Sequence, residues 1–232
     1  MIMNKPTSIN QAMSLIKSGQ TIMVGGFGNP GTPMTLLEAL LESGVKDLTV
    51  IKNEVNEPGI GLSRLVEAGR VRKLIISHLG LNSRVIEMMN KKEVEIEFHP
   101  QGILAEKIRC GGAGLLGLIT DIGVETIIAE TRQVIDFQGQ KAILEPALRA
   151  DAALIHASAA DTLGNLCYTK TAFNFNPLMA QAADLVIAET FNVLEPGEID
   201  PDHVHTPCVF VDHLVRVKNT PELYGVLPHH VL

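Results

Sequence analysis

The chain has 232 residues, 46% of them hydrophobic, and a formal net charge of −7. That is long enough to bury a sizeable core and too apolar for a disordered protein, while the negative balance argues against a general nucleic-acid binder and leaves open a local basic pocket for an anionic ligand. Its three cysteines, Cys110, Cys167 and Cys208, are odd in number and far apart, so they give no disulfide framework and no Cys-x-x-Cys site, and a reducing cytoplasm fits.

In chain order, Met1-Ile-Met-Asn-Lys-Pro-Thr7 lacks the apolar core of a signal peptide, and no later apolar run is long enough to span a bilayer. Residues 8–18 carry Ile9, Met13, Leu15 and Ile16 at rough helical spacing ahead of a buried strand over 21–24. A turn rich in glycine and proline follows (Gly25, Gly26, Gly28, Pro30, Gly31), and then an amphipathic helix over 34–43 with Thr32 as N-cap and Pro33 as its first residue. Such a strand–loop–helix junction puts backbone N–H groups and the positive end of a helix dipole at one rim of a sheet, where anions are most easily held. The spacing is neither a dinucleotide fingerprint nor a P-loop.

A second buried strand over 48–51 ends in Lys52-Asn-Glu-Val-Asn-Glu57, and a helix over 59–68 is stopped by Gly69. A third strand over 73–77 leads through His78-Leu-Gly-Leu-Asn82 into a helix capped by Ser83 and running through Asn90. Residues 94–98 alternate like a strand with one wet face, and a loop at His99-Pro-Gln-Gly102 opens a helix over 103–110 that Gly111-Gly-Ala-Gly114 breaks. Beyond a less regular region, 133–137 and 141–144 read as a hairpin, 152–156 as a buried strand, and 164–168 as a short one. A helix from Asn176-Pro177 to Ala183, a central strand over 185–189, a polar turn-rich stretch over 197–207 and a last strand over 209–211 complete the chain. Strands and helices alternating in this way predict an open, mostly parallel, doubly wound α/β sheet flanked by helices. With no repeat, low-complexity tract or linker, 1–232 is read as one domain.

Several loops taken together are specific. Val24-Gly-Gly-Phe27 with Gly31-Thr-Pro33 resembles the family I coenzyme A transferases. So do Pro100-Gln-Gly102 with Ala105-Glu-Lys-Ile-Arg109 and Gly111-Gly-Ala-Gly114, Ala150-Asp-Ala-Ala-Leu-Ile155 with Asp161 and Gly164-Asn165, Asn174-Phe-Asn-Pro177, and Gly197-Glu-Ile-Asp-Pro-Asp202 with His205-Thr-Pro207. In length and motif order the chain is similar to the smaller, α (A) subunit of the acetate, butyrate or acetoacetate type. The resemblance implies a superfold shared with certain sugar-phosphate isomerases and a heterodimer with a β (B) subunit that pairs again into a heterotetramer. It implies a short-chain acyl-CoA and a carboxylate as substrates, with coenzyme A a substrate and no other cofactor. It also implies a nucleophilic glutamate in a Ser-Glu-Asn-Gly motif on the β subunit; this chain has no such motif. In that chemistry the carboxylate attacks the thioester, giving an acyl-glutamyl anhydride and a CoA thiolate. The thiolate then attacks the anhydride to form a glutamyl-CoA thioester, from which the acceptor acid reverses the sequence.

Each attack builds an oxyanion and must be kept from water. Gln101, an amide that donates without titrating, is the candidate oxyanion or positioning residue. Gly25, Gly26, Phe27, Gly28 and Gly31 are candidates for the acyl-side wall, and Asn53 for a substrate contact at the carboxyl end of its strand. Glu54 departs from the family pattern; a loop glutamate is usually solvated, and it is weighed here as a nucleophile and set aside. Lys107 and Arg109 are read as phosphate neutralisers or as members of a salt-bridged helix face. Asn174 and Asn176 are expected to pin a turn. Asp200, Asp202, His203 and His205 have metal-ligand chemistry but no further ligand at helical spacing, so no metal site is read. Two other readings stand beside this one: a sugar-phosphate isomerase or deaminase of the same superfold, and a non-catalytic subunit that binds a CoA ester.

Overall fold

A computed structural model describes residues 5–80 and 82–217; Met1 to Asn4 of the signal-peptide reading and Leu81 of the 78–82 loop lie outside the described residues. In chain order the elements are α1 (Ile9–Met13), β1 (Thr21–Val24), α2 (Met34–Glu42), β2 (Leu48–Ile51), α3 (Leu62–Glu67), β3 (Val71–Ile76), α4 (Ser83–Asn90) and β4 (Glu95–Phe98). Then come α5 (Gln101–Gly112), β5 (Gly117–Thr120), β6 (Gln133–Phe137), β7 (Gln140–Pro146), β8 (Ala150–Ala157), β9 (Ala159–Asp161), β10 (Leu166–Cys167), α6 (Asn176–Gln181), β11 (Ala183–Thr190), β12 (Val193–Leu194) and β13 (His213–Arg216).

Seven strands form one sheet in the order β13-β11-β8-β1-β2-β3-β4, and every pair in it is parallel. Parallel strands buried on both faces read as apolar runs, which is why Thr21–Val24, Leu48–Ile51 and the middle of β8 were legible. Side-chain alternation divides these runs between two cores. Ile22, Val24, Val50, Leu74 and Leu154 face a core closed by Leu36, Leu37 and Leu40 of α2, Leu62, Leu65 and Val66 of α3, and Val85 of α4. Met23, Ile51, Ile75, Ala153 and Ile155 face the other core, against Leu104 and Ile108 of α5 and Met179 of α6. The sheet is therefore doubly wound. Its β4 edge is charged: Lys73 of β3 bridges Glu95 and Glu97 at 2.9 Å each, which blunts further pairing.

Local chemistry moves several boundaries. Asn82, not Ser83, caps α4, its side chain accepting the Val85 N–H at 2.9 Å. Ser8 and Gln11 form a capping box, but the helix they start lasts only to Met13. Pro100 enters α5 directly, so Gln101 is its first residue and not part of a loop, and Gly111 and Gly112 stay helical. The expected last strand at 209–211 is wrong: Cys208–Phe210 is a single 3-10 turn, and the final strand is His213–Arg216 beside β11. The irregular region contains an unanticipated strand, β5, that joins the β6–β7 hairpin in an antiparallel sheet of three. Among the described residues no helix is long and apolar enough to cross a membrane.

Candidate active site

In the large sheet the strand order reverses between β1 and β8: β2, β3 and β4 lie on one side of β1, and β8, β11 and β13 on the other. Open α/β sheets bind ligands at the carboxyl rim of such a reversal. The loop at 25–33 leaves β1 at that rim. Gly25 N–H still donates to the Leu154 carbonyl at 2.9 Å, as a strand residue would. A Cβ on Gly25 would lie 1.9 Å from Asn176 Oδ1, and one on Gly31, where φ is +75°, would lie 2.6 Å from Asn176 Nδ2. The loop is thus wrapped around a wholly buried asparagine, which accepts the His156 N–H at 3.2 Å and donates to the carbonyls of Gly31 and Ala172 at 3.1 and 2.9 Å. Asn174 holds the Pro30 carbonyl in the same way, at 3.0 Å. Gly26 folds over Thr32, and Phe27 is 46% exposed.

Thr32 is not the N-cap. It is buried, and its hydroxyl donates to the Gly28 carbonyl at 2.7 Å, while Pro33 occupies the cap position and Met34 begins the helix. The helix end is met from across the sheet: Glu189 Oε2, on β11, accepts the Leu36 N–H at 2.9 Å. Glu189 Oε1 lies 3.0 Å from His156 Nδ1 on β8, and the His156 ring meets Phe191 edge-on at 5.2 Å. The anion expected at this helix terminus is the protein's own buried carboxylate. Neither Glu189 nor His156 was found from the sequence. Both sit in apolar strands, and a titratable residue near the carboxyl end of each was the available signal.

The second half of the rim joins Asn53, Glu54 and Gln101. Asn53 follows β2 and is fully buried; its Oδ1 accepts from Gln101 Nε2 at 2.9 Å and from Ser77 Oγ at 2.8 Å. Its Nδ2 donates to Glu54 Oε2 at 2.6 Å. Glu54 Oε1 accepts from Gly28 N–H at 3.0 Å and pairs with Lys52 Nζ at 2.7 Å. Of the residues named from the sequence, Gly28, Asn53 and Gln101 are therefore linked by hydrogen bonds, and Gly25, Gly26, Phe27 and Gly31 lie on the loop that Gly28 belongs to. Glu54 is buried and bonded, unlike the solvated loop glutamate expected from its position. Burial pushes the Lys52 pKa down, and Glu54 beside it pulls it back up. Gln101 is exposed, so its amide is anchored at one end and open at the other.

Lys107 is not a phosphate contact. It is buried against Glu145 at 2.7 Å, and Arg132 approaches the other oxygen of that carboxylate at 3.4 Å. Arg109 is exposed and paired with Glu106 one turn back, at 2.8 Å. The stretch from Asp200 to His205 is divided. His203 pairs with Asp200 at 3.2 Å, whereas His205 Nδ1 accepts the Tyr168 N–H at 2.9 Å and its ring stacks on the Tyr168 ring. Among the described residues no group of three or more His, Cys, Asp or Glu side chains could hold a metal ion.

Residues 7–217 match the family model described as coenzyme A transferase. The chain is 47% identical over 211 residues to the alpha subunit of the acetate CoA-transferase of Escherichia coli K12, covering 91% of this chain and 96% of that one. It is 46% identical over 208 residues to one subunit of the succinyl-CoA:3-ketoacid coenzyme A transferase of Xanthomonas campestris pv. campestris B100, covering 90% and 86%. In structure it superposes on the acyl-CoA transferase YdiF of E. coli O157:H7, solved as a thioester complex with CoA, with a TM-score of 0.85 at 22% identity. That superposition spans 97% of this chain and 49% of the longer YdiF chain, and at such identity it speaks for the fold alone. A family model over nearly the whole chain and relatives of similar length at this identity place the chain in the coenzyme A transferase family.

Proposed function

We propose that this chain is the α-type subunit of a CoA-transferase that moves coenzyme A between a short-chain acyl-CoA and a short-chain carboxylate such as acetate or acetoacetate. The observation that carries this reading is the anchored, outward-open amide of Gln101, held at the sheet's carboxyl rim by buried Asn53 and tied through Glu54 to the glycine loop. Gln101 donates to the oxyanion that forms as the acyl carbon is attacked, where a fixed donor needs no reorganisation. The loop over 25–31 walls the acyl side, and the Phe27 ring keeps water from the anhydride. Two glutamates buried at this rim, Glu54 and Glu189, are unsuited to attack: Glu54 is paired with Lys52, and Glu189 caps α2 and meets His156.

The attacking carboxylate is therefore assigned to a partner subunit. Relatives that are themselves named as single subunits of CoA-transferases support that assignment. The assembly is a heterodimer, doubled to a heterotetramer, acting in the cytoplasm, with coenzyme A as substrate and no other cofactor. The free state of Cys110, Cys167 and Cys208 suits a reducing compartment.

The test is to purify the chain alone and together with its partner subunit, then assay acetoacetyl-CoA with acetate. Activity should require both chains, and Gln101→Ala should lower kcat by about 100-fold. Turnover by this chain alone, or full activity of the Gln101→Ala enzyme, would overturn the reading. A covalent CoA adduct mapped to a glutamate of this chain would do the same.

A further inference from the structure

We propose that Glu54 is a positioning residue that sets which way the Gln101 amide faces, acting through Asn53. This rests on the reading of Gln101 as the oxyanion donor and adds the device that orients it. An ionised carboxylate only accepts hydrogen bonds, whereas a side-chain amide has a donating end and an accepting end. The Asn53 atom 2.6 Å from Glu54 Oε2 must then be the amide nitrogen. That leaves the Asn53 oxygen facing Gln101 and Ser77, at 2.9 and 2.8 Å. The Ser77 hydroxyl can donate there, so it agrees with either neighbour and imposes nothing. Gln101 has no choice: it must turn its nitrogen toward Asn53. One Gln101 N–H is spent on that bond, the other stays available beside it, and the amide oxygen is fixed on the far side.

Lys52 makes the arrangement one-way. Its ammonium, wholly buried and 2.7 Å from Glu54 Oε1, supplies the counter-charge for a carboxylate held away from water. Glu54 Oε1 also accepts the Gly28 N–H, so a single carboxylate fixes the glycine loop and, two amides away, Gln101. With a neutral amide at position 54, Asn53 can turn over, and Gln101 can then present oxygen where nitrogen was. An acceptor would face a developing oxyanion in place of a donor, which is a loss in the transition state and not in substrate binding.

The assembled enzyme provides the first measurement, as a double-mutant cycle of Glu54→Gln and Gln101→Ala. Glu54→Gln should lower kcat by about ten-fold with little change in KM, and should add nothing once Gln101 is alanine. Losses that multiply in the double variant, or an unchanged kcat in Glu54→Gln, would overturn the proposal. Because an unpaired buried lysine threatens folding, Lys52→Met/Glu54→Gln removes both charges together and should show the same loss. Side-chain amide NMR of the full chain, labelled at Asn and Gln, separates this proposal from the oxyanion reading. In the parent chain the Gln101 amide proton bonded to Asn53 should exchange with solvent more slowly than the other proton on the same nitrogen, and that protection should collapse in Glu54→Gln. Collapse with a fully active Gln101→Ala enzyme would uphold the positioning and defeat the oxyanion role. An unchanged Gln101 signal in Glu54→Gln would defeat the positioning whatever the activity.

Discussion

Glu189 Oε1 lies 3.0 Å from His156 Nδ1 across the β8–β11 pair, while Glu189 Oε2 accepts the Leu36 amide at the start of α2. One buried carboxylate thereby ties two neighbouring strands to the helix that follows the glycine loop. Replacing Glu189 with alanine leaves a buried N–H and a buried imidazole to find other partners. It is expected to cost about 3 kcal/mol, read as a lower urea midpoint at unchanged slope.

Gly25 and Gly102 should respond to alanine in opposite ways. At Gly25 the new methyl meets Asn176 Oδ1 at 1.9 Å, so the loop or Asn176 must shift, and a large loss of stability and activity is expected. At Gly102, in the first turn of α5, a Cβ meets nothing within 4 Å. Gly102→Ala should leave the chain as stable or raise its stability by up to about 1 kcal/mol. Thermal melts of the two variants decide this. A stable Gly102→Ala protein that loses activity would show that bare backbone there is kept for a ligand.

Lys107→Met distinguishes a buried ion pair from a phosphate contact. It strands Glu145 with only Arg132 at 3.4 Å, so a loss of about 3 kcal/mol in denaturant unfolding is expected. The KM for the CoA ester should not change, because the side chain is shut away from solvent.

Acid should weaken the β4 edge. The hydrogen bond from His99 and the nearby Lys73 ammonium hold the Glu97 carboxyl well below the usual carboxylate range. With its folded pKa depressed, Glu97 contributes stability that is fully present above the ordinary glutamate pKa of about 4.3. That contribution is lost as pH falls toward the folded value, because the unfolded chain takes up the proton first. Stability measured from pH 6 down to about pH 3 should therefore decline, and Glu97→Gln should make the decline shallower.

Strands β1 and β2 and the middle of β8 were legible because they are buried and so written as apolar runs, whereas the half-exposed β4 showed only as an alternation and the edge strand β13 was missed. Glycine positions were legible too, but their reason was not. At Gly25 and Gly31 the close neighbour is Asn176, some 150 positions away in sequence, and nothing local announces it. The small sheet was half legible: the β6–β7 hairpin closes locally, whereas β5 reaches its partner β7 only after residues 121–139 intervene. The salt bridge allowed for at Lys107 exists, but its partner was not legible for a related reason, since helical spacing says nothing of Glu145, 38 residues on.

By itself the amino-acid order determined the alternation of strand and helix, the place of the glycine turn at the end of β1, and the likeness to one enzyme family. These depend on burial pattern and turn chemistry, which act over a few residues. Only the folded chain decided that α2 is capped by Glu189 from 153 residues away, that Lys107 is spent on Glu145, and that Asn53, Glu54 and Gln101 share one chain of hydrogen bonds. Buried charges and amides must find partners wherever the sheet happens to bring them, and that choice is made by packing, not by spacing along the chain.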